Sequence, residues 1–156
     1  MPPNKLMKLI FWVVLFESIG FLLSLITQAN IYPWYQHLNK SSLTPPGFIF
    51  SIVWTLLYAL LAVIAWILSD HSKASSKKVT VLFALQMLMN WIWTPLFFGL
   101  HWLMLSSVWL ISLTCLNVIL IIEAKKTHQT IVWLLIPYLL WLMFASYLNV
   151  VIALMN

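Results

Sequence analysis

Trp54 and Tyr58 stand four residues apart, Trp141, Ala145 and Asn149 follow one another at the same spacing, and Gln86, Asn90, Trp93 and Phe97 recur at intervals of three and four. On a helix these intervals place side chains on one face, so three helices would turn indoles, a phenol and carboxamides toward a shared interior. Rings of this kind stack with offset geometry on flat conjugated molecules. An apolar chamber with a few convergent polar groups is also the general form of a small-molecule site. The competing reading of the amides is structural, as hydrogen bonds between helices in lipid.

Other candidate chemistry is sparse. Glu17 falls near the middle of an apolar run, where a carboxylate is costly and has to be neutral or paired. No lysine lies deep within a run to pair with it, and a lone acid makes a poor proton relay, so a neutral bond to a neighbouring helix competes with a functional role. His37, His71, His101 and His128 show no metal-ligand spacing, and no metal site is expected. No Ser/His/Asp or Cys/His arrangement is visible. Of Gly20, Gly47 and Gly99, none opens a phosphate-binding loop. Cys115 lies in an apolar run as a small packing residue, and Gly20 with Ser24 forms a small-xxx-small pair that hints at close helix contact.

The elements that must position these groups follow from composition. With 63% hydrophobic and only 7% charged residues in 156, and a mean hydropathy of +1.00, the chain cannot hide its apolar surface in one soluble core. A span of about 20 residues crosses a hydrocarbon core of about 30 Å. Runs at 6–26, 48–68, 79–98, 102–122 and 131–154 have that length, which predicts an all-α bundle of five membrane-spanning helices, one domain over 1–156. Alternating sides collects Lys5, Lys8, Lys73, Lys77, Lys78, Lys125 and Lys126 on one face of the membrane and Lys40 alone on the other. That bias places the N-terminus in the cytoplasm and the C-terminus outside. With no arginine and lysines confined to the gaps, nucleic acid is not an expected partner. The first run also has features of a cleaved signal peptide, with Thr27-Gln28-Ala29 as the cleavage site, but it exceeds the usual apolar core of a signal.

Between the first two runs lies a connection over 27–46 containing Trp34, Tyr35, Pro45 and Pro46, long enough to be a lid or binding segment. Ten tryptophans exceed what an interfacial belt needs. Trp12, Trp34, Trp102 and Trp133 fall near span ends and suit such a belt; Trp54, Trp93 and Trp141 lie deeper, where an indole N–H needs a partner inside the bundle.

Four segments carry a resemblance over nearly the whole chain. They are Trp34-Tyr35 with Leu38, Lys40 and Thr44-Pro45-Pro46-Gly47; Val53-Trp54-Thr55-Leu56-Leu57-Tyr58; Gln86 through Asn90-Trp91 and Trp93-Thr94-Pro95-Leu96-Phe97-Phe98-Gly99; and Pro137-Tyr138-Leu139 with Trp141, Phe144-Ala145 and Leu148-Asn149. In order and spacing they resemble the TspO/MBR family of translocator proteins and tryptophan-rich sensory proteins. The resemblance implies a five-helix bundle, commonly a homodimer, that binds tetrapyrroles such as protoporphyrin IX and haem and other lipophilic small molecules, with no required cofactor. Carried over by motif position, Trp54, Gln86, Asn90, Trp141 and Ala145 would line the pocket, with Tyr58 and Phe97 added by the stripes above. Trp34, Tyr35, Pro45 and Pro46 would form its lid.

The sequence departs from the family's lid pattern in two places. Ser41 stands where a proline is usual and Leu43 where a tryptophan is usual, and Phe48 occupies a position often filled by tryptophan. The C-terminal Tyr and Arg of the proposed cholesterol motif are absent. The expected function is a bacterial inner-membrane receptor and sensor for tetrapyrroles. The alternatives are a light- and oxygen-dependent porphyrin-degrading enzyme, with Trp54 and Trp141 as the catalytic pair, and a tetrapyrrole or lipid transporter, which lacks the inverted repeats of coupled transport.

Overall fold

The computed structural model describes residues 3–69 and 77–156. The expected contributions of Asp70, His71 and Lys73 lie outside the described residues. All regular structure among the described residues is helical. The helices are α1 (Pro3–Asn30), α2 (Gly47–Ser69), α3 (Lys77–Thr94), α4 (Leu103–Ala124) and α5 (Gln129–Met155). With the turns that extend α1 and α3, all five are long and apolar enough to cross a bilayer, and the chain is an integral membrane protein.

The expected 27–46 loop is the largest correction. Helix α1 runs on through Thr27 and Asn30, because both polar side chains bond back to the preceding turn: Thr27 Oγ1 to the Leu23 carbonyl and Asn30 Nδ2 to the Ile26 carbonyl at 2.8 Å. The break comes at Tyr32, which is extended (φ −115°, ψ 133°), since the residue before a proline is pushed out of the helical region. Helical geometry resumes after Pro33, so only 38–46 is irregular. At the same end α3 passes Pro95 into a wide turn, Pro95–Gly99, closed by Leu100 N–H donating to the Pro95 carbonyl at 2.9 Å. His101 then reverses the chain with φ 58°.

Helices α1 and α2, α3 and α4, and α4 and α5 pack side by side. Inward stripes on α2, α3, α4 and α5 meet in one core containing Leu61, Ile64, Val79, Leu113, Leu135 and Tyr138, none of them solvent-accessible. Helix α1 is peripheral. Phe16 is its one buried apolar residue, while Met7, Phe11, Val14 and Phe21 face outward, as the lipid-facing side of a membrane helix does.

The two ends of the bundle are distinct. At one, Glu123 accepts from Lys78 at 2.9 Å and Lys126 at 3.0 Å, and Trp12 Nε1 donates to Ser69 Oγ at 3.2 Å. At the other lie the kinked end of α1, the Pro95–Gly99 turn and Asn156. Gly20 sits against α2: a Cβ added there would lie 2.7 Å from Tyr58 Cδ2. Its smallness therefore serves a contact inside the chain.

Candidate functional site

Three helices bring the predicted residues together in two separate groups. In the first, Trp54 on α2 meets Trp141 on α5 edge to face, with ring centroids 6.5 Å apart and planes at 89°. Phe50 and Phe144 flank Trp141 at 5.6 and 5.7 Å, and Trp54 leans on Tyr58 at 5.7 Å. Edge-to-face packing aligns the positive rim of one ring with the negative face of the next. Trp54 and Trp141 are half-buried, and Ala145 is buried one turn beyond Trp141.

Beside these rings runs a polar thread. Tyr58 Oη donates to Asn90 Oδ1 at 2.8 Å, and Asn90 Nδ2 donates to Tyr138 Oη at 2.9 Å, joining α2, α3 and α5 through buried groups. Gln86, one turn before Asn90, is fully buried, and its carboxamide has no hydrogen-bond partner among the described residues. The Trp141 indole N–H is likewise buried and unpartnered. A polar group in that condition costs free energy unless a ligand or solvent meets it.

Phe97 belongs to the second group, contrary to the single stripe expected of α3. It stacks on Trp93 at 5.5 Å and meets Trp34 and Tyr35 edge-on at 5.6 and 6.2 Å, at the end of the bundle where the α1 kink lies. Trp93, which precedes the Pro95 turn, already packs with Phe97 and Phe98, so the two groups divide between Asn90 and Trp93 on α3. Trp93 donates its indole N–H to Asn149 Oδ1 at 2.9 Å, and Asn149 Nδ2 reaches Ser106 and Ser107 at 3.2 and 2.8 Å. Asn149 is therefore a clamp between helices.

The lid residues divide in the same way. Trp34 lies flat on the His101 ring, 3.8 Å between centroids and 15° between planes, and His101 Nε2 is 3.1 Å from Asn30 Oδ1. Trp34 thus closes the end of the bundle and is not an isolated headgroup anchor. Trp102 and Trp133 remain exposed, as a belt requires. Pro45 is half-buried and Pro46 exposed. Leu43 and Phe48 point outward, so the two replaced aromatic positions offer no ring to the interior. Ser41 accepts from Leu43 N–H at 3.1 Å and shares a hydrogen bond with Tyr147 Oη at 2.9 Å, which restrains the loop where a proline would have stiffened it.

Lys40 donates to the carbonyls of Tyr35, Gln36 and Leu38 at 2.8, 3.1 and 2.8 Å. All three N–H bonds are spent on carbonyls that follow the Tyr32 kink, and the ammonium lies 4.9 Å above the Tyr35 ring. Partial burial lowers its pKa from the ordinary lysine value, which the carbonyls oppose by favouring the charged form.

A groove of about 530 Å³ opens on the α2–α5 seam, lined by Val53, Leu56, Leu60, Pro137, Leu140 and Trp141 among others. Trp141 is the one predicted residue that borders it. Tyr138 and His101 are not among the residues expected at the site. Tyr138 was legible as the next residue of the Ala145–Trp141 stripe, whereas nothing in the sequence pairs His101 with Trp34.

The chain as a whole is similar to known proteins. A family model described as the TspO/MBR family matches residues 11–155. The tryptophan-rich protein TspO of Archaeoglobus fulgidus is 35% identical over 152 residues, covering 97% of this chain and 99% of that protein. The translocator protein of Bos taurus is 33% identical over 137 residues, 83% and 79% of the two chains. The tryptophan-rich sensory protein of Cereibacter sphaeroides is 32% identical over 119 residues, 74% and 72%.

Proposed function

This chain belongs to the TspO/MBR family, and from that premise we propose that it is a membrane receptor and sensor for tetrapyrroles and other flat lipophilic ligands. The observation that carries the reading is the Trp54–Trp141 pair at 6.5 Å, with the buried Trp141 indole N–H unpartnered among the described residues. The indoles supply π-faces for a conjugated ring, and the Trp141 N–H supplies a donor for its polar edge. The names of its relatives, a translocator protein and a tryptophan-rich sensory protein, support a receptor role.

We place Lys5, Lys8, Lys77, Lys78, Lys125 and Lys126 in the cytoplasm of a bacterial inner membrane. The lid end, with Trp34, Tyr35 and the 38–46 connection, then faces outward, and the wet mouth of the site lies there. Lys40 is committed to the Tyr35, Gln36 and Leu38 carbonyls, so it is a cap first and a partner for ligand carboxylates only by surrendering those bonds.

The test is titration of the detergent-purified protein with protoporphyrin IX, following tryptophan emission. Saturable quenching that weakens in a Trp54→Phe/Trp141→Phe double variant is expected. Linear, unsaturable quenching identical in both proteins would refute the reading.

One observation favours a second reading. Trp141, Trp54 and Tyr58 form an unbroken run of oxidisable rings, suited to passing an electron to a photo-excited porphyrin while oxygen is consumed. Illuminated, aerated mixtures would lose porphyrin absorbance faster with native protein than with the double variant if the chain degrades its ligand.

A further inference from the structure

Two ways lead to the Trp54–Trp141 pair, and they are closed very differently. The lid end is fastened. Trp34 lies flat on His101, Asn39 and Asn156 exchange hydrogen bonds at 2.9 and 3.0 Å, and Ser41 bonds Tyr147 Oη at 2.9 Å. Lys40 holds three carbonyls of the same segment. The α2–α5 seam has no such fastening: among the described residues no hydrogen bond runs directly from α2 to α5, and α2 packs against α5 less extensively than α4 does.

That seam carries the groove of about 530 Å³, whose lining side chains are all apolar apart from the indole N–H of Trp141. Leu56 and Leu140 on its walls are 61% and 62% exposed, so it opens toward the acyl chains. Trp141 forms one wall of the groove and half of the indole pair, which makes groove and site adjoin at a single ring. Pro137 also borders the groove inside α5. It lacks the N–H that a helix would donate to the Trp133 carbonyl, so α5 bends most easily beside the groove.

The headgroup end of the seam is polar. Tyr147, bonded to Ser41, stacks on Phe144 with centroids 6.5 Å apart and planes at 23°, and Phe144 meets Trp141 at 5.7 Å. From Tyr147 down to Pro137 is ten residues, or about 15 Å of helix. A flat amphipathic molecule dissolved in the adjoining leaflet would keep its polar edge beside the two hydroxyls while its rings slide along Phe144 to Trp141.

We infer that ligands enter sideways from the bilayer through the α2–α5 seam, with Trp141 as the ring that gives way and the 38–46 connection staying shut, a route that rests on the tetrapyrrole reading of the site. Entry through the lid would first return the ligand's apolar surface to water, a cost that the seam avoids.

The experiment uses the full chain in phosphatidylcholine nanodiscs, mixed rapidly with protoporphyrin IX while tryptophan emission is followed. Leu56→Phe/Leu140→Phe puts two rings across the mouth of the groove. It should slow association and dissociation together, each by about tenfold, and leave Kd within about twofold, as an obstructed passage does. Asn156→Ala, which loosens the lid, should leave both rates as in the parent. Unchanged rates in the seam variant, or association accelerated severalfold by Asn156→Ala, would overturn the route while leaving the site in place. Absence of saturable quenching in the parent would instead refute the functional reading, and the route with it. A second measurement needs no porphyrin: in nanodiscs of phosphatidylcholine brominated on its acyl chains, tryptophan emission should be quenched, with part of that quenching lost in Trp141→Phe. Quenching of equal size in both proteins would show the groove shut to the acyl chains and would overturn the route.

Discussion

Asn156 and Asn39 hold each other through paired hydrogen bonds: the Asn156 side-chain oxygen accepts from the Asn39 backbone N–H at 2.9 Å, and its nitrogen donates to the Asn39 carbonyl at 3.0 Å. Asn39 Nδ2 also reaches the Met155 carbonyl at 3.2 Å. Residues 117 positions apart in sequence thereby fasten the 38–46 connection to the end of α5.

Replacing Asn156 with Ala should loosen that connection without unfolding the bundle. Two exposed hydrogen bonds contribute about 1 kcal/mol in net terms, so local opening should become roughly fivefold more frequent. Amide exchange at Leu43 and Thr44, whose N–H groups are held within the same loop, would report it. Unchanged exchange at both amides would show that the Ser41–Tyr147 and Asn39–Met155 contacts hold the segment without Asn156.

Gly20→Ala should destabilise the α1–α2 contact. The added methyl would stand 2.7 and 2.8 Å from two Tyr58 ring carbons, and the ring cannot swing aside freely because its hydroxyl is fixed on Asn90. Overpacking of this kind costs about 1–3 kcal/mol, seen as a lower Tm. Adding Tyr58→Leu should recover part of the loss if the clash is its cause.

Asn149→Leu should be among the most damaging single changes. It strands the Trp93 indole N–H between α3 and α5, a buried group left unpaired at a cost of about 1–3 kcal/mol, and it also removes the donor to Ser106 and Ser107, whose hydroxyls keep the Leu103 carbonyl. Porphyrin affinity, measured on the folded fraction, should stay near that of the parent because Asn149 is consumed in clamping. A large selective loss of affinity at normal stability would return Asn149 to the ligand site.

The number, order and approximate bounds of the helices were legible because apolar runs of spanning length admit one solution in lipid. The Trp54, Tyr58 and Asn90 convergence was legible for the same reason, since a strict helical period on each element fixes the inward face. The helical extent of 27–37 was not. Polar residues there read as a loop, and only back-bonding by Thr27 and Asn30 shows that they sit inside the helix. Phe97 was read as part of one stripe with Asn90, whereas it packs with Trp93 in the cluster at the end of the bundle, a division that spacing on one helix does not reveal. The Trp34–His101 stack depends on where two chain reversals meet, which no local pattern encodes.

The two indoles of the candidate site should respond unequally to substitution. Trp141 borders the α2–α5 groove, packs against Phe50 and Phe144, and has a buried N–H with no partner among the described residues. Trp54 contacts Tyr58, whose hydroxyl anchors the polar thread. Trp141→Phe removes the unpartnered donor, so it should leave Tm unchanged or slightly higher while weakening protoporphyrin IX binding. Loss of one stacking indole, worth about 1 kcal/mol, predicts a Kd roughly fivefold higher. Trp54→Phe keeps an aromatic surface against Tyr58 and should give a similar rise in Kd with a small fall in Tm. Fluorescence titration and thermal melting on the same preparations separate these effects. If Trp141→Phe lowers Tm and leaves Kd untouched, the indole is a packing residue of the α2–α5 seam and the ligand stacks elsewhere.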